Sequence, residues 1–156
     1  MQEVRNGTGF KMKRKFLLVG SWDMFHYAHL LMIRKAKSLS DAVGGEIIVG
    51  VNTDSLNIKY KKRKAIIPYK HRFEIIRSLR EVDEAVPNYI YNLIPLIKRH
   101  KITDYALSRE WVDRKAKEIS YLKSIGCKVH IFPRSKTISS TDIRNKILRL
   151  SGIKHG

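Results

Sequence analysis

The chain has 156 residues, a length that suits one domain with its own hydrophobic core. No apolar run reaches the roughly 18 residues of a membrane-spanning helix, and no apolar segment of a secretory signal follows the basic N-terminus. The single cysteine, Cys127, excludes an internal disulfide and fits a reducing cytoplasm. We expect a flexible basic leader at 1–14, one domain at 15–151 and a short tail at 152–156.

The charge is strongly positive. Thirty-two lysines and arginines face fourteen acidic residues, which leaves +18 at neutral pH. Such a surface attracts nucleotides, phosphorylated metabolites, nucleic acids and anionic lipids. The basic residues are spread along the chain, and no RNA- or DNA-binding motif accompanies them. Nucleic acid therefore stays open as a partner but is not favoured.

The first elements alternate between strand and helix. Residues 16–19 form an apolar run that predicts a buried strand, and the apolar spacing over 28–39 predicts an amphipathic helix. A second buried strand follows at 46–52. Strand, helix and strand in this order imply a right-handed parallel unit. The fold class is therefore α/β, a Rossmann-like parallel sheet flanked by helices.

The rest of the chain continues this alternation. The basic run at 59–64 is interpreted as a surface loop, either solvated or acting as a mobile clamp for phosphates. Later segments predict the following elements: a helix with Phe73, Ile76 and Leu79 on its face, a short edge strand over 82–87, a helix over 93–100, a strand over 105–107, a basic helix over 112–125 with Ile119, Leu122 and Ile125 inward, a strand over 128–132 and a final helix to about 150.

A strand-to-helix turn at 20–29 carries two histidines, His26 and His29, three residues apart. If the helix begins near His26, both rings lie on one side of its first turn, beside free N–H groups that attract anions. The alternative is that they only satisfy buried polar groups. Metal ligation is a third reading, but no cysteine or carboxylate lies at a zinc-like spacing.

A second stretch, 134–144, places three hydroxyl side chains ahead of the last helix. Ser139 or Ser140 can cap this helix, and Asp142 favours its positive end. The plain interpretation is a well-capped C-terminal helix. The functional one is a second helix N-terminus suited to anions.

Both stretches resemble signatures of one family. The string G-S-W-D-x-F-H-x-A-H at 20–29 is similar to the G-[ST]-F-D-x-x-H-x-G-H signature of the nucleotidyltransferase superfamily, and of its cytidylyltransferases in particular. The string at 134–141 resembles their R-T-x-G-I-S-[ST]-T motif. The resemblance runs from about residue 16 to 150 and is greatest to the glycerol-3-phosphate cytidylyltransferase type. Ala28 and Thr137 stand where the family has glycine.

The resemblance implies transfer of a cytidylyl group from CTP to a small alcohol phosphate, with glycerol 3-phosphate as the best candidate, and release of pyrophosphate. It implies Mg²⁺ bound with CTP, a homodimer and a cytoplasmic enzyme. No protein metal ligand is assigned, although Asp23 is the nearest carboxylate. The site residues carried over are, for catalysis, His26, His29, Lys59, Lys61 and Arg134; for the nucleotide, Gly20, Ser21, Trp22, Asp23, His29, Trp111, Arg134, Ile138, Ser139, Ser140 and Thr141; and for the acceptor phosphate, Lys59, Lys61 and Arg72.

Two alternatives remain. The first is a sister enzyme, namely an archaeal-type FAD synthetase, a heptose-phosphate nucleotidyltransferase or another adenylyltransferase. Residues 66–68 motivate it, as does the segment 108–110, which departs from the cytidylyltransferase pattern. The second is a non-catalytic nucleotide- or RNA-binding relative, motivated by Ala28 and by the charge. Steep salt dependence of nucleic-acid binding without pyrophosphate release would identify it.

Overall fold

The structure is a computed structural model that describes residues 11–152. Residues 1–10 of the expected leader and 153–156 of the expected tail lie outside this range. Five strands form one sheet of order β3-β2-β1-β4-β5, and every neighbouring pair is parallel. This confirms the predicted α/β class. The strands are β1 (Lys15–Gly20), β2 (Glu46–Asn52), β3 (Glu84–Asn88), β4 (Asp104–Ser108) and β5 (Lys128–Phe132).

Helices connect the strands. Two 3-10 turns, Arg109–Trp111 and Asp113–Lys115, lie between β4 and the helix that follows. No helix within the described part of the chain is long and apolar enough to cross a bilayer. The α-helices are α1 (Tyr27–Asp41), α2 (Asp54–Lys61), α3 (Tyr69–Ser78), α4 (Ile94–His100), α5 (Ala116–Ser124) and α6 (Ser140–Leu150).

The strands bury side chains on both faces of the sheet. On β1, Phe16 and Leu18 point to one face and Leu17 to the other, as the period of two requires. The first face packs against Ile33 of α1 and Ile76 of α3. The second packs against α4 and α5. Continuous apolar runs in β1 and β2 are therefore the mark of a sheet covered by helices on both sides.

Two predicted elements differ from the structure. The basic run 59–64 was expected to be a loop, but residues 59–61 form the last turn of α2, because the Thr53 hydroxyl caps this helix and Asp54 begins it. The predicted helix over 112–125 is divided, with a 3-10 turn before α5. The expectation that Ile125 points inward was wrong: it follows the last residue of α5 and is 49% exposed.

The strand order indicates at which edge of the sheet a ligand binds. From β1 the chain moves outward to β2 and β3, then returns to the other side of β1 to form β4 and β5. The order therefore reverses between β1 and β4. In open parallel sheets, ligands bind in the crevice that such a reversal leaves at the carboxyl ends of the strands. Gly20 and Ser108 end these two strands and line the crevice.

Candidate active site

A cavity of about 510 Å³ opens at this edge of the sheet. Its walls include the turn after β1, the segment before α6, and the ends of β2 and β3. Most of the residues carried over from the family resemblance line it. They are Gly20, Ser21, Trp22, Asp23, His26, His29, Lys61, Trp111, Arg134, Ile138, Ser139 and Ser140.

The turn after β1 is held by its own side chains. The Asp23 carboxylate accepts backbone N–H bonds from Ile66 and Ile67, each at 2.8 Å. The Trp22 indole is buried and donates from Nε1 to the Gly50 carbonyl at 3.0 Å. Its ring meets the His29 ring edge-on at 5.4 Å between centroids. These contacts fix the first turn of α1 and support the His29 ring from behind.

The two histidines form one stacked unit. Their ring centroids are 3.8 Å apart with planes 20° from parallel. The His26 backbone N–H donates to His29 Nδ1 at 3.3 Å, which leaves the ring proton of neutral His29 on Nε2. Burial, with further help from His26 and Lys61, lowers the pKa of His29 to about 3. His29 is therefore a neutral N–H donor at pH 7 in the free protein.

The N-terminus of α6 meets that of α1 across the cavity. Ser139 caps α6 by accepting the Asp142 backbone N–H at 3.1 Å, as the sequence predicted. The Ser140 hydroxyl donates to the Asp23 carbonyl at 3.0 Å and lies 3.4 Å from His26 Nε2. The two motifs thus face one another and direct two positive helix ends into one space.

Among the charged side chains that line the cavity, cations outnumber carboxylates. Among the described residues that line it there are seven lysines and arginines and two carboxylates, Asp23 and Glu110. Both carboxylates are already engaged, Asp23 as above and Glu110 with the Ser108 hydroxyl. The seven cations are Lys35, Lys61, Arg63, Lys115, Arg134, Lys136 and Arg144. Such a site attracts a polyanion of the size and charge of a nucleoside triphosphate.

The two lysines expected to grip phosphate differ in position. Lys61 lines the cavity, and burial, together with the neighbouring charges of Arg63 and Arg144, lowers its pKa to about 8. Lys59 is exposed and does not line the cavity. Because the two are only two positions apart on a helix, they point in different directions. Lys61 is the better placed of the two for a bound phosphate.

Arg72 has a different environment from the expected one. Its guanidinium is 1% exposed and does not line the cavity. It donates to the carbonyls of Ser21, Asn52 and Ile67 and to the Asp54 carboxylate at 2.7 Å. These bonds join the ends of β1 and β2 to α2 and α3. The geometry does not support the expected contact of Arg72 with the acceptor phosphate, because its donors are used within the protein. Thr141, also expected at the nucleotide, is exposed and lies outside the lining.

Several lining residues escaped the sequence analysis. Arg144 lies one turn after Ser140 on α6, and this spacing of four was the signal that could have found it. Asn52 and Asn88 are register partners that end β2 and β3, but no local pattern reveals such a pairing. No sequence motif indicates that Lys115 belongs to the site.

The donor set does not form a protein-held metal site. Across residues 11–152, no group of three or more histidine, cysteine or acidic side chains is placed to hold a metal ion. The nearest carboxylate, Asp23, bonds to two backbone N–H groups and to Arg144. Its oxygens therefore do not fit the role of a metal ligand.

Comparisons with known proteins agree with this geometry. A family model described as cytidylyltransferase-like matches residues 17–146. The chain is 32% identical to the glycerol-3-phosphate cytidylyltransferase of Bacillus spizizenii over 138 residues, which cover 88% of this chain and 99% of the relative. It is 30% identical to the FAD synthase of Korarchaeum cryptofilum over 142 residues, which cover 90% of this chain and 95% of the relative.

Among solved structures, a lipopolysaccharide core biosynthesis protein from Thermoplasma volcanium shares the fold, with a TM-score of 0.65. It is 22% identical, and the match covers 80% of this chain and 98% of that one. A likeness at this level of identity supports the shared fold only.

Proposed function

The chain belongs to the cytidylyltransferase-like family, and from this premise we propose that it transfers the cytidylyl group of CTP to a small alcohol phosphate. Glycerol 3-phosphate is the best candidate acceptor, because relatives that match nearly end to end carry that name. The observation that carries the proposal is the meeting of two helix N-termini, with His26 and Ser140 at their contact. This arrangement suits a triphosphate.

The reaction needs alignment and charge neutralisation. A phosphate oxygen of the acceptor attacks the α-phosphorus of CTP, the bond to the bridging oxygen of the β-phosphate breaks, and pyrophosphate leaves. The nucleophile is already an anion, so no strong general base is required. The described residues that line the cavity meet this need, since they offer cations and N–H donors.

His29 and His26 are the groups we place at the phosphates. His29 Nε2–H donates to an α- or β-phosphate oxygen, and the buried Trp22 ring and the partly buried Phe25 ring hold its plane. A bound triphosphate raises the pKa of His29 from its low value, because a nearby anion favours the protonated ring. Lys61, Arg134, Ser139 and Ser140 complete the set of donors to phosphate.

Mg²⁺ enters this proposal bound to the triphosphate. Magnesium keeps several waters and is commonly bound by substrate phosphates. Arg72 is a positioning residue in this scheme, since it fixes the ends of β1 and β2 on which the site is built. A cytoplasmic homodimer remains part of the proposal on the strength of the family resemblance.

The test is release of pyrophosphate from CTP and Mg²⁺, with and without glycerol 3-phosphate, beside ATP, GTP and UTP. We expect acceptor-dependent release with CTP alone. The His26→Ala/His29→Ala double variant is the control for contaminating activity. Absence of release with CTP and any alcohol phosphate, from protein that is folded and binds CTP, would reject the proposal.

A second candidate is adenylyl transfer to riboflavin phosphate, motivated by the FAD synthase of Korarchaeum cryptofilum. The altered segment 108–110, where Glu110 bonds to Ser108, adds to it, since this segment borders the cavity beside Trp111. Release of pyrophosphate with ATP and riboflavin 5′-phosphate, and none with CTP, would establish this alternative.

A further inference from the structure

The cavity has a second side that the phosphate motifs do not build. Asn88 Nδ2 donates to Asn52 Oδ1 at 2.8 Å, and Asn52 Nδ2 donates to the Tyr60 hydroxyl at 3.2 Å. The Tyr60 ring lies 5.2 Å from the Tyr91 ring. All four side chains line the cavity, and we call them the amide–tyrosine wall. It is formed by the ends of β2 and β3, by α2 and by the segment after β3.

A buried lysine supports this wall. Lys115 is 7% exposed, and its Nζ donates to the Tyr91 carbonyl at 2.5 Å and to Glu118 Oε1 at 3.1 Å. The same ammonium lies 3.5 Å from the centroid of the Tyr91 ring. Lys115 therefore fixes both the backbone and the ring of Tyr91, and it lines the cavity as well.

Lys115 and Glu118 form an ion pair, and of the two only Lys115 lines the cavity. Glu118 is 5% exposed and is not among the lining residues. Its carboxylate also accepts the Leu93 backbone N–H at 3.4 Å, on the side of α4. A ligand at the amide–tyrosine wall therefore meets Lys115, whereas the Glu118 carboxylate lies outside the lining and is engaged with Lys115 and Leu93.

The cavity must hold two substrates side by side. The two helix N-termini occupy one side with groups suited to the triphosphate. Lys61 is near both sides: its Nζ lies 5.6 Å from the centroid of the Tyr60 ring, and its charge helps to lower the pKa of His29. An acceptor whose phosphate reaches Lys61 therefore places its alcohol part against the amide–tyrosine wall.

We propose that the amide–tyrosine wall and Lys115 bind the alcohol part of the acceptor and select an uncharged polyol phosphate over an amino-alcohol phosphate. This inference rests on the proposed function and deepens it. Asparagine amides and a phenol both donate and accept, as hydroxyl groups require. Burial raises the pKa of Tyr60 to about 12, so this phenol keeps its proton.

A cationic alcohol meets two penalties at this wall. Its ammonium lies near the like charge of Lys115 in a partly desolvated space. Carboxylates offer it little compensation: Glu118 lies outside the lining and is engaged, while Asp23 and Glu110, which line the cavity, are bonded to Arg144 and to the Ser108 hydroxyl. Selectivity of this kind comes from a repulsive group as much as from attractive ones.

The test is an acceptor panel with CTP: glycerol 3-phosphate, phosphoethanolamine and phosphocholine. We expect the wild-type kcat/KM for glycerol 3-phosphate to exceed that for either amino-alcohol phosphate at least tenfold. The double variant Lys115→Met/Glu118→Leu removes both charges and fills a similar volume with apolar side chains. Proteins often tolerate such a replacement of a buried ion pair. This double variant should reduce the preference at least fivefold, with KM for CTP within twofold of wild type.

Lys115→Arg keeps the charge and should retain the preference. Lys117→Met is the matched control, since Lys117 is exposed on α5 and outside the cavity. A purely structural role for Lys115 would lower kcat for all acceptors alike and leave their ratio unchanged. Equal use of phosphoethanolamine by the wild type, or an unchanged ratio in the double variant, would overturn the inference.

Binding of each alcohol phosphate, measured by protein NMR, separates this inference from the proposed function. If CTP gives no turnover with any acceptor, the proposed function fails. The binding preference then decides the inference by itself: tighter binding of glycerol 3-phosphate, lost in the double variant, supports it. Equal binding of phosphoethanolamine rejects it.

Discussion

Arg144 donates from Nη2 to the Asp23 carboxylate at 2.7 Å, and this ion pair joins the turn after β1 to helix α6. The side chains are 19% and 5% exposed, so water screens the pair weakly. The second terminal nitrogen of Arg144, Nη1, is buried and has no hydrogen-bond partner within the described range, residues 11–152. Because Arg144 lines the cavity, this nitrogen is suited to donate to a phosphate oxygen.

Replacement of Arg144 by glutamine should lower kcat/KM for CTP by about 10- to 100-fold, since hydrogen bonds to charged groups contribute about 1.5–3 kcal/mol. Steady-state pyrophosphate release measures this. Arg149→Gln, on the exposed end of the same helix, should stay within twofold of wild type. An Arg144→Gln enzyme as active as the Arg149→Gln control would show that Arg144 does not contact the nucleotide.

His29→Ala should lower turnover about 100- to 1000-fold, the usual cost of losing one donor to a transition state. The fold should persist, because Trp22 and Phe25 still cover the site from behind. Turnover and thermal unfolding are measured together, with His71→Ala on the exposed surface of α3 as the control. Near-normal turnover by a folded His29→Ala variant would contradict the assignment.

Local patterns predicted the two helix N-termini of the site. A strand followed by a histidine pair and an apolar helical face specifies the start of α1, and Ser139 with Asp142 specifies the start of α6. Such features depend on neighbours in sequence. They could therefore be predicted before any tertiary contact was known.

Contacts between distant segments could not be predicted. Asp23 and Arg144 are 121 positions apart, and nothing local indicates that they pair. The family resemblance implies a phosphate contact for Arg72. Its burial follows from three carbonyls that only the assembled sheet brings together. The amide–tyrosine wall likewise depends on the register of β2 with β3.

A buried charge network far from the cavity should control acid stability. Asp104, at the start of β4, bonds to Arg14, to the Thr103 hydroxyl at 2.7 Å and to His130 Nε2 at 2.7 Å. Burial alone would raise the pKa of Asp104, but hydrogen bonds from His130, Arg14 and Thr103 outweigh burial and lower it to about 2. The charged form is thus favoured by folding.

The folded-state pKa of Asp104 lies below its unfolded value of about 3.9, so its contribution is fully present above pH 4 and is lost as pH falls toward 2. Asp104→Asn should cost about 3–5 kcal/mol at pH 7, as when one partner of a buried pair is removed. Urea unfolding between pH 2 and 7 measures both effects. Asp113→Asn, on the exposed surface, is the control. An unfolding free energy unchanged by Asp104→Asn at pH 7 would contradict this account.

Ala28 is the second residue of α1, where the related signature has glycine, and it lines the cavity. Its methyl group stands beside the N–H groups of the first turn, which are the donors a phosphate would reach. Ala28→Gly should therefore lower KM for CTP several-fold and leave KM for the acceptor unchanged. The helix should lose up to about 1 kcal/mol, because glycine is a poor helix former. Ala42→Gly is the control, because it makes the same substitution at an exposed position at the other end of α1, away from the site. A KM for CTP that is unchanged or higher in Ala28→Gly would place the phosphates away from this turn.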